Sequence, residues 1–254
     1  MRIGLIGDTH GWVPALRAAI AACRDAGVDV LVHCGDFLST PFSPDPPGET
    51  VALLRSERVH CVHGNGELYL MDWDTPRWER TVALRRARSD RPPDYFLHLV
   101  AAGQAELSPD DLAWLRAVPE ELVLDGARPR DVYVCHGMPG NPFNTLWPRS
   151  PVYDANVTDQ MRLEALSRPA LAEADLILCG HALSPYVQPE ELPNGRRPII
   201  VRASGWPDQG DGVSRTSVAI LTARPAGWEV KIEPVTFTPR DPTWTWDQPS
   251  RRLT

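Results

Sequence analysis

Five short apolar runs in this chain end in the same way, and that repetition limits the folds open to it. Residues 2–8 run apolar and then deliver Asp8, Thr9, His10 and Gly11 in succession. Residues 28–36 stop at Gly35-Asp36, residues 59–65 at Gly64-Asn65, residues 131–137 at His136-Gly137, and residues 174–181 at Gly180-His181. Short runs rich in valine, isoleucine and leucine and closed by glycine read as buried strands. Helical patterns lie between them. Residues 14–26 open on Pro14, put Leu16, Ile20 and Cys23 on one face and stop at Gly27. Residues 51–57 read as a helix, residues 68–125 as mostly helical with a start at Ser108-Pro109-Asp110-Asp111, and residues near 156–167 as another helix. The proline-rich stretches 41–49 and 138–153 read as loops. Strand-like runs return at 198–203, 216–222 and 228–237. The alternation predicts βαβ units and a largely parallel sheet.

A chain of 254 residues is long enough for one large α/β domain. No long linker or repeat interrupts it, so residues 1–238 are expected to form a single domain. Residues 239–254 would be a tail without periodicity, either loosely held or anchored by Trp244 and Trp246 to the body or to a neighbouring chain. No apolar run approaches the length of a membrane span, and Met1 leads directly into a core strand, which argues against a membrane segment or a leader. The five cysteines form no C-x-x-C pair. Their odd number fits small buried residues in a reducing compartment rather than disulfides or a thiolate cluster, so a cytoplasmic protein is expected. The formal charge of −7 argues against a broad nucleic-acid groove. An anionic substrate would need local positive charge from arginines or metal ions, because Lys231 is the only lysine. A homo-oligomer is left open.

In an open α/β sheet the C-terminal ends of the strands converge on one edge, where ligands bind. Asp8, His10, Asp36, Asn65, His136 and His181 would meet there. Taken singly, each is normally a cap, a turn residue or a hydrogen-bonded core residue. Recurrence beside glycine at five strand ends is what points to a shared site. Two carboxylates, three imidazoles and a carboxamide form a mixed oxygen and nitrogen set, which suits Mn, Fe, Co, Ni or Zn better than Ca or Mg. Six ligands exceed one tetrahedral ion and match two ions bridged by a carboxylate, an arrangement that clamps phosphoryl groups.

In order and spacing these residues resemble the calcineurin-like metallophosphoesterases. That family's pattern is D-x-H, G-D, G-N-[HC]-[DE], H-G and G-H-x-H. Here it stands as Asp8-Thr9-His10, Gly35-Asp36, Gly64-Asn65-Gly66-Glu67, His136-Gly137 and Gly180-His181-Ala182-Leu183. The resemblance runs from residue 1 to about 222 and is nearest to a small bacterial branch with a "GHTHxP" ending, echoed by "GHALSPYV". It implies an α/β fold, a two-sheet αββα sandwich with a dinuclear metal site at the strand C-terminal ends. It implies that Asp8 and His10 bind a first ion, that Asp36 bridges, and that Asn65, His136 and His181 hold a second. It further implies two transition-metal ions, Mn or Fe foremost with Zn, Co or Ni as alternatives. The implied reaction is hydrolysis of a small phosphomonoester or phosphodiester, a metabolite or nucleotide, by metal-bound hydroxide.

Three positions depart from the pattern. Leu183 replaces a histidine on the first ion. Gly66 replaces a histidine that in many members protonates the leaving group, and Ser39 replaces the aspartate that orients it. His63, two residues before Asn65, and His98 are candidates for a substitute acid; His33 and His60 are expected to be structural. The loop after His136 offers Asn141, Asn144 and Arg149 as substrate contacts. The helix that starts near Pro14 would aim its N-terminus at a phosphate. The departures also admit a second reading: a catalytically weakened relative that holds one metal or a phosphate and acts as a sensor or interaction protein.

Overall fold

A computed structural model describes residues 1–38, 44–86, 94–124, 132–147, 157–182, 184–203, 208–210 and 213–241. Its elements in chain order are β1 (Arg2–Ile6), α1 (Val13–Asp25), β2 (Val30–His33), α2 (Pro47–Ser56), β3 (His60–Cys61), α3 (Asn65–Asp72), α4 (Trp78–Arg86), α5 (Asp94–Ala105) and α6 (Pro109–Ala117). They continue with β4 (Glu121–Leu124), β5 (Val132–Cys135), α7 (Asp159–Leu166), β6 (Leu176–Cys179), β7 (Tyr186–Pro189), β8 (Ile199–Arg202), β9 (Asp208–Gly210), β10 (Val213–Arg224) and β11 (Gly227–Phe237).

These strands form two mixed sheets rather than one largely parallel sheet. The first has the order β11-β10-β1-β2-β3, with β9 on β10. Its β1, β2 and β3 run parallel, while β10 is antiparallel to both β1 and β11. The second has the order β4-β5-β6-β8-β7, with a parallel centre and antiparallel edges. Strand alternation then divides the apolar residues into layers. Ile3, Leu5 and Val32 of the first sheet face Val132, Val134, Leu176, Leu178 and Val201 of the second and fill the space between them. Ile6 and Leu31 point the other way, into a core shared with Leu16 and Ile20 of α1, Leu54 of α2 and Leu68 of α3. On the far side Tyr133, Ile177 and Ile200 pack against Ala165 and Leu166 of α7. The result is a helix–sheet–sheet–helix sandwich. Each fully buried Val, Leu or Ile contributes about 1.5–3 kcal/mol by leaving water. Close packing of α1 on β1 needs Gly4, where a Cβ would stand 2.7 Å from Cys23 Sγ.

Several boundaries differ from the sequence expectation. The loop expected over 41–49 already gives way to α2 at Pro47, since proline suits a first helical turn. The strand expected over 59–65 keeps only His60–Cys61, and Asn65 begins α3 instead. The helical stretch expected to reach 125 ends in β4, which pairs antiparallel with β5. The edge strands β7 and β9 were not anticipated from the apolar runs. The Thr158 side chain accepts the Met161 N–H at 3.1 Å and so places the start of α7. Trp244 and Trp246 lie outside the described residues. All five cysteines are free and buried. Among the described residues no helix is long and apolar enough to cross a membrane.

Candidate metal centre

The five strand ends meet where the two sheets adjoin, and backbone hydrogen bonds lock them together. His10 N–H donates to the Asp36 carbonyl at 2.9 Å and Gly11 N–H to the Phe37 carbonyl at 2.9 Å, which joins the turn after β1 to the turn after β2. Gly180 N–H donates to the His136 carbonyl at 2.7 Å. His181 N–H reaches across the sheets to both oxygens of Asp8, at 3.1 and 3.0 Å. Three candidate ligands sit at positive φ without being glycine: His10 at 46°, Asp36 at 49° and His181 at 68°. Such left-handed residues cost about 1–3 kcal/mol each and persist only where the surroundings fix them. The flanking glycines allow the close approach. A Cβ on Gly180 would stand 2.4 Å from Asp8 Oδ1, and one on Gly64 would stand 2.1 Å from Asp36 Oδ1.

The side chains fall into two overlapping triplets, Asp8/His10/Asp36 and Asp36/His136/His181, each with donor atoms within 4.8 Å of one another. Asp36 is common to both. Asn65, the first residue of α3, brings its Oδ1 to 3.3 Å from His136 Nε2. The tautomer of His136 follows from its other nitrogen: the Cys34 carbonyl, 2.7 Å from Nδ1, can only accept, so Nδ1 carries the proton. The Nε2 lone pair then faces His181 Nδ1 at 3.1 Å, Asn65 Oδ1 at 3.3 Å and Asp36 Oδ2 at 3.5 Å. Electron pairs converging on one point in a buried site need a proton or a cation among them. A ligating histidine that gives its second N–H to a carbonyl is also the usual support for a bound ion. The donor set therefore fits metal ions.

Electrostatics in the metal-free chain point the same way. Burial raises the Asp8 carboxyl to about 8, against the pull of His136 and with the added push of Asp36. Burial would raise Asp36 too, but the charge and hydrogen bond of His136, with His10 and His181, hold it below the ordinary carboxylate value. Burial disfavours the charged form of His136, yet Asp36 and Asp8 raise it to about 9. Burial lowers His10 to about 4. The carboxylates thus keep a proton on His136 that a cation would displace.

Glu67 supports the centre from beneath. Its Oε2 accepts the Asp36 and Gly64 N–H groups at 2.8 and 2.7 Å, and its Oε1 accepts the Leu38 N–H at 2.7 Å. Gly66 N–H donates to Asp36 Oδ1 at 2.7 Å, and a Cβ on Gly66 would stand 2.6 Å from the Leu38 carbonyl. His33 is buried beside the centre, with Nε2 3.1 Å from the Thr9 hydroxyl.

Other residues singled out in the sequence are placed elsewhere. His63 turns toward α6, with Nε2 2.7 Å from the Leu115 carbonyl, and its charged neighbours are Glu120, Asp72 and Arg77. His98 is exposed on α5 and His60 on β3. Asn141 holds its loop against α4: its Nδ2 donates to the Leu84 carbonyl of α4 at 3.2 Å, and its Oδ1 accepts the Phe143 N–H of its own loop at 3.0 Å. Asn144 is fully buried and its side-chain amide has no hydrogen-bond partner among the described residues. The first N–H of α1, on Val13, is taken by Asp45 Oδ2 at 2.9 Å, so a carboxylate already stands where a phosphate was expected. Ser39, Arg149 and Leu183 lie outside the described residues. Asp45, which takes the start of α1, was not legible because it is hidden in a proline-rich stretch.

The model of the calcineurin-like phosphoesterase superfamily domain matches residues 1–223. A phosphodiesterase of Methanocaldococcus jannaschii is 46% identical over 39 residues, 15% of this chain and 24% of that protein. The match thus spans about a quarter of that relative. A hypothetical protein of Pyrococcus horikoshii is similar in structure with a TM-score of 0.61 and 16% identity, over 93% of this chain and 88% of that one. A metallophosphoesterase of Sphaerobacter thermophilus gives a TM-score of 0.55 and 24% identity, over 95% and 89% of the two chains. At such identities the likeness is one of fold.

Proposed function

The chain belongs to the calcineurin-like phosphoesterase superfamily, and from that premise we propose that it is a metal-dependent phosphoesterase acting on a small phosphomonoester or phosphodiester. The observation that carries the reading is one carboxylate, Asp36, shared by two ligand triplets. Asp8 and His10 with Asp36 would hold one ion; His136, His181 and Asn65 with Asp36 would hold the other. Mn or Fe is the first choice, and the same donors accept Zn, Co or Ni. When bound, two such ions polarise phosphoryl oxygens and lower the pKa of water.

The chain's own residues set the geometry. The His181 N–H orients Asp8, the Cys34 carbonyl fixes the His136 tautomer, and the Gly66 N–H holds Asp36. Gly66 brings no side chain, and His63 is committed to Leu115. Loss of a general acid costs about 10²–10⁴ in rate, least where the leaving group is good. The preferred substrate is therefore an activated phosphate ester of a metabolite or nucleotide, in a cytoplasmic setting. The test is to strip the protein of metal, reload it with Mn, Fe, Co, Ni or Zn, and assay aryl phosphate mono- and diesters. Turnover with at least one metal, and about two ions per chain, is expected. Binding of one ion or none, without turnover in any form, would favour the sensor reading instead.

A further inference from the structure

Arg202 is the one arginine or lysine that is fully buried among the described residues. It closes β8, level with Cys179 of β6 on one side and Tyr186 of β7 on the other. Its guanidinium spans two loops. Nε donates to the Ser184 carbonyl at 2.7 Å, and Nη1 donates to the Trp147 carbonyl. The Tyr186 ring centroid lies 5.7 Å from Cζ. Nη2 has no hydrogen-bond partner among the described residues. No carboxylate pairs with this charge there, although Asp8 and Cys179 feel its field.

A buried cation without a counter-ion is costly, and a hydrocarbon of equal volume would fill the same space without that cost. What a hydrocarbon cannot do is donate to two carbonyls at once in a fixed fork. The two carbonyls belong to the segments that follow the candidate ligands. Residues 138–147 follow His136, and Ser184 lies three residues after His181. At the ligands the two strand ends are already tied to each other by Gly180 N–H to the His136 carbonyl at 2.7 Å, and the first segment is folded on itself by Met138 N–H to the Asn144 carbonyl at 2.7 Å. Arg202 ties their far ends. With both ends held, His136 Nε2 and His181 Nδ1 stay 3.1 Å apart. His181 also keeps its φ of 68°.

We infer that Arg202 is a positioning residue that clamps the segments after His136 and His181 to each other and so sets the ion site those two histidines form with Asp36. The inference rests on reading His136 and His181 as metal ligands. The full chain and its Arg202→Lys and Arg202→Met variants are demetallated and titrated with Mn²⁺ by calorimetry. Hydrogen exchange is followed by mass spectrometry on the same metal-free samples.

Lysine keeps the charge but not the fork, so both variants should behave alike. One of the two Mn²⁺ sites should weaken by about ten- to a hundredfold while the other changes little. Amides of 138–147 should exchange faster while those of β1 do not. Two unchanged sites, or a uniform loss at both together with lower thermal stability, would overturn the inference. So would full affinity in the lysine variant alone, because charge rather than the fork would then suffice. If the wild type takes up no Mn²⁺, the ligand reading fails, and unchanged exchange in the variants would separately defeat the clamp. A wild-type measurement covers variants that do not fold: the Arg202 Nε proton must exchange more slowly than those of surface arginines, and fast exchange refutes the clamp.

Discussion

At Gly180 the absence of one carbon decides how close the sheets can bring their ligands. A Cβ there would stand 2.4 Å from Asp8 Oδ1 and 3.2 Å from His136 Nδ1, so Gly180→Ala must push one of them aside. Neither atom is the free end of a flexible chain: Asp8 is held by the His181 N–H and His136 by the Cys34 carbonyl. The variant should therefore fold, with near-normal far-ultraviolet circular dichroism, and bind Mn²⁺ about ten- to a hundredfold more weakly. Titration of the demetallated protein decides it, and an unaltered affinity would mean that the centre does not use Asp8 as placed. The six candidate ligands were legible because such residues must stand where an apolar run turns out of a sheet, and glycine marks those turns. His63 misled for a definite reason. A two-residue offset from Asn65 implies a shared face only in an extended chain, but β3 ends at Cys61 and the backbone has left the sheet before His63. The commitment of Asn141 to Leu84 and Phe143 was equally hidden, since both partners depend on how the loop folds back.

At the scale of elements, the junction between α3 and the turn after β2 is the one on which the centre leans. Gly64 precedes α3 and offers no capping side chain, so the helix takes its cap from within. Glu67, in the first turn, accepts the N–H groups of Gly64, Asp36 and Leu38. One buried carboxylate thus joins a helix start to the loop that presents the shared ligand. Glu67→Gln replaces one of its oxygens with an NH₂ group that would face N–H donors. At least one backbone donor then loses its acceptor, which should destabilise the fold by about 1–3 kcal/mol. Urea unfolding of the metal-free protein reads this directly, and a loss below about 1 kcal/mol would show that the clamp is dispensable. The sequence disclosed the strands that carry ligands better than their lengths. In residues 59–65 Val59, Cys61 and Val62 suggest a strand that runs to the Gly-Asn turn, and nothing local shows that a helix begins at Asn65. The antiparallel edges β4, β7 and β9 are short and partly polar, so their identity comes from the strands they pair with.

For the whole molecule, the centre makes cohesion of the two sheets depend on pH, because Asp8 comes from the first sheet and His136 and His181 from the second. A group whose pKa is raised on folding contributes stability that is fully present below its unfolded value and is lost as pH rises through its folded value. Burial lifts Asp8 from 3.8 to about 8, so its contribution drains away between those limits. Against burial, Asp36 and Asp8 lift His136 from 6.5 to about 9, so its contribution drains over that higher window. His10 runs the other way. Burial lowers it from 6.5 to about 4, and its contribution is present above 6.5 and lost as pH falls. The metal-free protein should therefore lose thermal stability most steeply as pH rises from 6.5 to about 8, where Asp8 and His136 act in the same direction, and more gently from there to about 9, where His136 still drains and neither Asp8 nor His10 changes. Ions need an ionised Asp8 and a neutral His136, so what destabilises the metal-free protein favours the loaded one. The gap in Tm between Mn²⁺-loaded and metal-free protein should widen across that interval. Scanning calorimetry of both forms at half-unit steps tests this. Two curves that fall in parallel would place the bound ions away from Asp8 and His136, whereas a gap that opens with pH ties metal binding to the protons held between the two sheets.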